Sequence, residues 1–172
     1  GFQYKIAFNP VFFNTVKEIT RFETFTGRSY ITKYLYKDCA WLSADREFLG
    51  FKYAKITDPE GNYTEIKFLQ EDIYRRGMIL EQASFDKDGR LFKKVVNTWR
   101  MQYITLTTSR QVKFFWLGRI DQFIYDGNLS GKRTAQEFFY QETEQLGNLT
   151  KTIQLGEVDL ETGQDIGNDS RT

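Results

Sequence analysis

Residues 51–69 read FKYAKITDPEGNYTEIKFL. Proline fixes one backbone dihedral and glycine tolerates a positive φ, so Asp58, Pro59 and Gly61 mark a tight reversal. Before it, Phe51, Tyr53, Lys55 and Thr57 alternate with Lys52, Ala54 and Ile56. After it, Tyr63 to Leu69 supplies a returning arm, and the whole stretch predicts a β-hairpin.

The same grammar continues in both directions. Alternating residues from Met78 to Phe85 lead into Asp86, Lys87, Asp88 and Gly89, after which Leu91 to Trp99 alternates again. Further strands are predicted over Tyr103 to Thr107 and Val112 to Leu117, with the polar Thr108 to Gln111 between them. Phe123 to Tyr125 runs into a turn at Asp126, Gly127 and Asn128, and Thr134 to Gln141 returns. Glu142 to Gln145 interrupts the pattern, Gly147 and Asn148 punctuate it, and Leu149 to Leu155 resumes it. Upstream, Gln3 to Phe8 alternates, and Arg28, Tyr30, Thr32, Tyr34 and Tyr36 oppose Ile31 and Leu35. Between those strands, Phe12, Phe13, Val16, Ile19 and Phe22 have helical spacing, which predicts a short helix within Val11 to Phe22.

The chain thus divides into residues 1–27, an N-terminal strand and short helix; 28–160, an antiparallel β region; and 161–172, a polar loop or tail. The fold class is mainly β, an extended twisted antiparallel sheet of successive hairpins. Composition agrees: 16 Phe, 10 Tyr and 3 Trp stand against 2 Pro, and broad rings suit pleated, half-buried surfaces.

Composition also excludes chemistry. The 172 residues carry 24 basic and 23 acidic side chains, a net charge of +1, which argues against a general polyanion binder. With no histidine, the Ser-His-Asp and Cys-His arrangements are unavailable. A single cysteine, Cys39, allows no intrachain disulfide, and beside Ala40 and Trp41 it reads as a thiol filling a core gap. No apolar run approaches the roughly 20 residues of a membrane helix, and Gly1 to Phe8 lacks a signal-peptide pattern.

Asp58 to Gly61, Asp86 to Gly89 and Asp126-Gly127 recur at uneven intervals, each with aromatic or β-branched flanks. If such turns stacked along one side of a sheet, neighbouring arms would bury the aromatic face that a lone hairpin cannot. With Tyr34-Leu35-Tyr36, Arg46-Glu47-Phe48-Leu49-Gly50-Phe51, Ile56 to Asn62, Arg76-Gly77, Phe85 to Leu91, Asn97-Thr98-Trp99 and Leu146-Gly147-Asn148-Leu149-Thr150, the chain resembles the Rhs and YD-repeat proteins, with the Tc insecticidal toxin B component and the SpvB-like toxins. The resemblance covers most of the chain, though few units carry the full tyrosine-aspartate signature. It implies a non-enzymatic wall segment of a hollow β-shell around toxic cargo, within a larger protein that is secreted or on the bacterial cell surface. It also implies neighbouring repeats, the enclosed cargo and other toxin-complex subunits as partners, and no cofactor. Some family members release cargo by aspartate-dependent self-cleavage. The residues after Asp58-Pro59-Glu60-Gly61 do not continue that glycine- and asparagine-rich site, so the turn reading is preferred.

Other candidates are weighed against blander readings. Trp99 and Trp116, with Trp41, could stack on sugar rings, giving a carbohydrate-binding β module as the alternative function; packing within or between sheets is the simpler use. Asp86 with Asp88, and Asp165 with Asn168 and Asp169, offer oxygen ligands but lack the length of an EF-hand loop. Glu65, Glu71, Asp72 and Glu81 could supply a glycosidase pair only if folding brought two together. Arg110, Lys113, Phe114, Phe115, Trp116 and Arg119 mix basic and aromatic residues as a nucleic-acid groove does, yet the near-zero net charge opposes that partner.

Overall fold

The computed structural model describes residues 6–7, 14–42, 46–107, 110–126, 130–140, 147–167 and 171. The chain groups into two compact units, residues 1–92 and 93–172, with the division inside the region that the sequence reads as one. Each is an open antiparallel sheet of successive hairpins, not closed into a barrel, as the hairpin pattern predicts.

In the first unit the strands are β1 (Ile6–Ala7), β2 (Glu18–Glu23), β3 (Arg28–Leu42), β4 (Glu47–Thr57), β5 (Tyr63–Phe68) and β6 (Ile79–Phe85). The order runs β3, β4, β5, β6, with β1 and β2 each pairing a different part of β3. The helix expected within Val11 to Phe22 is not what forms: Ile19 and Phe22 lie on β2, and Asn14 to Lys17 carry no helix. The β2–β3 ribbon leaves β2 exposed throughout, so its apolar residues follow no buried face, and their helical spacing has no structural cause. Phe12 and Phe13 lie outside the described residues, as does most of the strand expected over Gln3 to Phe8.

Cross-strand registers stack charges and rings on one face of this unit. Lys37, Tyr53, Lys67 and Glu81 form one row over β3 to β6; Leu35, Lys55, Glu65 and Ala83 form the next. Lys67 meets Glu81 at 2.8 Å, and the Lys55 ammonium sits 3.3 Å from the centroid of Tyr63, which stacks on Phe85. Burial, with a hydrogen bond to Glu65 second, pushes the Tyr53 phenol up to about 12.

The core of this unit is small: Ala40, Leu42 and Leu49 are buried together, with Ile73 packed against them. Ile73 belongs to the Leu69–Met78 connection, which serves a second purpose. β5 pairs with β4 only over Tyr53 to Thr57. Beyond that the connection satisfies β4 with side chains: Gln70 donates its amide to the Gly50 carbonyl at 2.6 Å, and Arg76 donates to the Phe48 carbonyl while pairing with Glu47. Backbone groups that would otherwise lack partners are thereby covered.

The second unit contains β7 (Leu91–Thr107, from Lys93 on), β8 (Arg110–Ile124), β9 (Lys132–Tyr140) and β10 (Leu149–Val158), paired in that order. The separate short strands expected at Leu91 to Trp99 and Tyr103 to Thr107 are one strand, and Val112 to Leu117 belongs to a strand that reaches Ile124. Arg110 and Gln111, read as connection, already pair with β7. A bulge explains the break in alternation: Thr98 faces Arg119 and Trp99 faces Leu117, so Gly118 is an extra residue on β8. A Cβ there would lie 2.7 Å from the Arg100 side chain.

Candidate functional site

The expected turn residues in the first unit build one device twice. Asp58 N donates to the Asn62 carbonyl, Gly61 N donates back to the Asp58 carbonyl, and the Asp58 carboxylate accepts from Asn62 N and Nδ2 at 2.9 and 3.0 Å. Asp86 repeats it with Gly89 and Arg90, its carboxylate accepting from Asp88 N, Arg90 N and Arg90 Nε. Gly61 and Gly89 both take positive φ. Pro59 sits exposed in the first turn. The turns are neighbours, since a Cβ on Gly61 would lie 3.3 Å from that of Lys87. Asp126 adopts φ 46° at its own reversal, whereas Gly127 falls outside the described residues. Gly147 packs on the Phe114 ring, and Asn148 is exposed just before β10.

Trp116 lies inside an aromatic group, stacked on Phe114 at 5.5 Å between centroids and tilted against Tyr140 at 6.0 Å. Trp41, Trp99 and Trp116 are all half-buried, and no sugar platform gains support from them. The carboxylates singled out for glycosidase chemistry each face a cation: Glu65 meets Lys55, Glu71 and Asp72 meet Arg75, and Glu81 meets Lys67. Cys39 is a half-buried free thiol. Among the described residues no group of three or more His, Cys, Asp or Glu side chains could hold a metal ion. Asn168 and Asp169 lie outside them.

The second unit carries a feature that sequence reading did not assemble. Arg119, Asp121 and Phe123 alternate along β8 and so share a face, and register brings Glu137 and Arg133 beside Arg119 and Phe123. Asp121 is 4% exposed. Arg119 donates to both of its carboxylate oxygens at 2.9 to 3.1 Å, and Arg133 donates through Nε at 3.0 Å. Glu137 takes a further hydrogen bond from Arg119 at 3.0 Å. The remaining donors reach the chain after β10: Arg119 to the Gly163 carbonyl at 2.7 Å, and Arg133 to the carbonyls of Asp159, Leu160 and Glu161. Arg133 also lies over the Phe123 ring. Two cations held by one buried carboxylate therefore clamp a turn onto the sheet.

That turn is a third Asp-led device. Asp159 N donates to the Gln164 carbonyl, Gly163 N donates to the Asp159 carbonyl, and the Asp159 carboxylate accepts from Glu161 N, Thr162 N and Thr162 Oγ1. Val158 and Gln154 then bridge to Asp165 and Arg171. The region expected as a loop or frayed tail therefore doubles back along β10. Gly163 has φ 70°, and a Cβ on it would meet Arg133 Nη2 at 2.5 Å. Gly163→Ala should cost about 1–3 kcal/mol through the backbone alone, read from urea denaturation.

The Thr162 amide and hydroxyl hold the Asp159 carboxyl below the usual range; desolvation opposes them, and the Glu161 amide and Arg133 add smaller contributions in the same direction as Thr162. A lowered folded pKa means that the turn's contribution is complete above the unfolded value and is lost as pH falls through the folded one. Acid titration of the Thr162 amide resonance should thus show a midpoint below about 3.9.

Residues 2–82 match the family model described as the insecticide toxin TcdB middle/N-terminal region. The fold is that of TcdB2-TccC3 structures. One, a crystal structure of TcdB2-TccC3, superposes with a TM-score of 0.67 at 14% identity over 90% of this chain and 11% of that one. Another, without its hypervariable C-terminal region, gives 0.65 at 13% identity over 80% and 9%. A Photorhabdus luminescens Tc holotoxin pore gives 0.61 at 13% identity over 82% and 10%. The chain spans about a tenth of the length of these structures. No curated protein matches it significantly.

Proposed function

We propose that this chain is a non-enzymatic wall segment of a secreted bacterial toxin shell of the Tc and Rhs type, enclosing toxic cargo and joined to neighbouring β-repeats and further toxin-complex subunits. The observation that carries the reading is the thinness of its cores. Among the described residues the buried apolar side chains are four alanines with Leu42, Leu49 and Val158, while sixteen large apolar side chains are exposed. Domains ordinarily bury a sheet face against a second layer. Here Ile19, Phe22, Phe25, Ile31 and Leu35 stand 38–101% exposed on the β2–β3 ribbon and its tip, which suits a surface covered by other parts of a larger protein. The lack of histidine and the pairing of the candidate carboxylates with cations support a structural rather than catalytic role.

The test uses the full-length parent protein with its cargo. Added protease should leave the cargo intact, and Phe22→Asp with Phe25→Asp should render it digestible by breaching the wall. Equal digestion of cargo with and without the substitutions would overturn the assignment.

A further inference from the structure

The face of the second unit opposite the clasp carries an unassigned cavity. Ile120 and Gln122 on β8 pair with Gln136 and Thr134 on β9, and Gln136 pairs with Gln154 on β10, so these five side chains share one face. They surround a depression of about 250 Å³ floored by the backbone of Ala135 and Gly156, the Ala135 side chain lying on the Asp121 face. The bulge between Gln154 and Gly156 widens the strand there.

The chemistry of the lining is uniform. Three primary amides and one hydroxyl converge around an aliphatic side chain, and none of the four polar side chains hydrogen-bonds to another residue among those described. Gln122 and Gln136 are half-buried, so their donors and acceptors point into restricted space. The residues that line it are all uncharged; beside them on this face Lys132 and Glu157 pair with each other at 3.4 Å, and Arg171 bridges to Gln154 at the outer edge. A neutral ligand with many paired donors and acceptors fits this lining.

We propose that this depression binds a neutral sugar residue, with Gln122, Gln136 and Gln154 hydrogen-bonding adjacent hydroxyls and Ile120 meeting a C–H face of the ring. An extended peptide is the poorer occupant, because peptides join sheets through free edges and the strand backbones beneath this depression are already paired. Neither Trp99 nor Trp116 lines the site, and it does not depend on the wall assignment.

Saturation-transfer NMR of the chain against glucose, galactose, mannose and N-acetylglucosamine tests it. At least one sugar should receive saturation and shift the side-chain amide resonances of Gln122, Gln136 and Gln154. Gln136→Leu should weaken that binding about tenfold or more while the remaining backbone spectrum is kept, since it removes the central amide. Gln154→Ala on the exposed rim provides a second variant should Gln136→Leu misfold, with the same loss expected. No transfer from any of the four sugars, binding indifferent to both glutamine variants, or binding lost instead on Trp116→Ala would overturn the proposal. Shifts of these amides by an unstructured neutral peptide, with none from the sugars, would overturn it in favour of a peptide site.

Discussion

Asp121→Ala should destabilise the second unit by about 3–5 kcal/mol, because it leaves two arginines facing each other without their shared counter-charge. Both guanidinium groups are largely covered, with side-chain exposures of 18% for Arg119 and 14% for Arg133. Desolvation has therefore already been incurred, and Asp121 is the counter-charge that the two share against it. Arg119 keeps Glu137, but Arg133 keeps only carbonyl oxygens of the Asp159 turn as hydrogen-bond acceptors. The turn should consequently loosen before the strands separate. Hydrogen exchange in the variant should accelerate at Gly163 and Gln164 more than at β8 and β9, and urea denaturation gives the total. A loss below about 1 kcal/mol would mean that water replaces the carboxylate at little cost, as at an exposed pair. Asp121→Asn keeps the shape and one acceptor, so an intermediate loss separates charge from packing.

This cluster also marks where the sequence stops being readable. Turns at Asp58 to Asn62 and Asp86 to Arg90 were legible because every group that closes them lies within five consecutive residues. The clasp was not, since its hydrogen bonds span separations of 12, 18 and 44 residues and exist only once register is set. One local clue was present: Arg119 and Asp121, two apart on a strand, must share a face. Arg119 was instead grouped with Lys113 and Trp116 by composition, and Gly118 bulges between those neighbours and the clasp. On β3 the alternation was visible but its polarity was not. Tyr30, Tyr34 and Tyr36 take the better-covered positions while Ile31 and Leu35 are 38% and 47% exposed, an inversion that no hydropathy pattern announces. The β2 region misled for a related reason, because a ribbon exposed on both faces imposes no period on its apolar residues.

Leu49→Ala should cost the first unit about 2–5 kcal/mol, the range for removing a leucine from a packed site. Leu49 is 1% exposed and is the largest fully buried side chain among the described residues. Its neighbours Ala40 and Leu42 come from the adjacent strand β3, and Ile73 packs against this cluster from the connection that covers β4. Such a shallow site collapses poorly, because paired strands cannot shift sideways without breaking their register, so much of the leucine volume should remain as cavity. The loss should spread to Gln70 and Arg76, whose hydrogen bonds to β4 depend on where Ile73 seats the connection. Thermal melts and urea curves of Leu49→Ala should accordingly move together with faster exchange at Gly77 and Met78. Phe25→Ala removes a larger ring, but one 101% exposed, and in the chain alone should change stability by no more than about 0.5 kcal/mol. Equal effects from the two substitutions would show that the cluster around Leu49 does not hold this unit together.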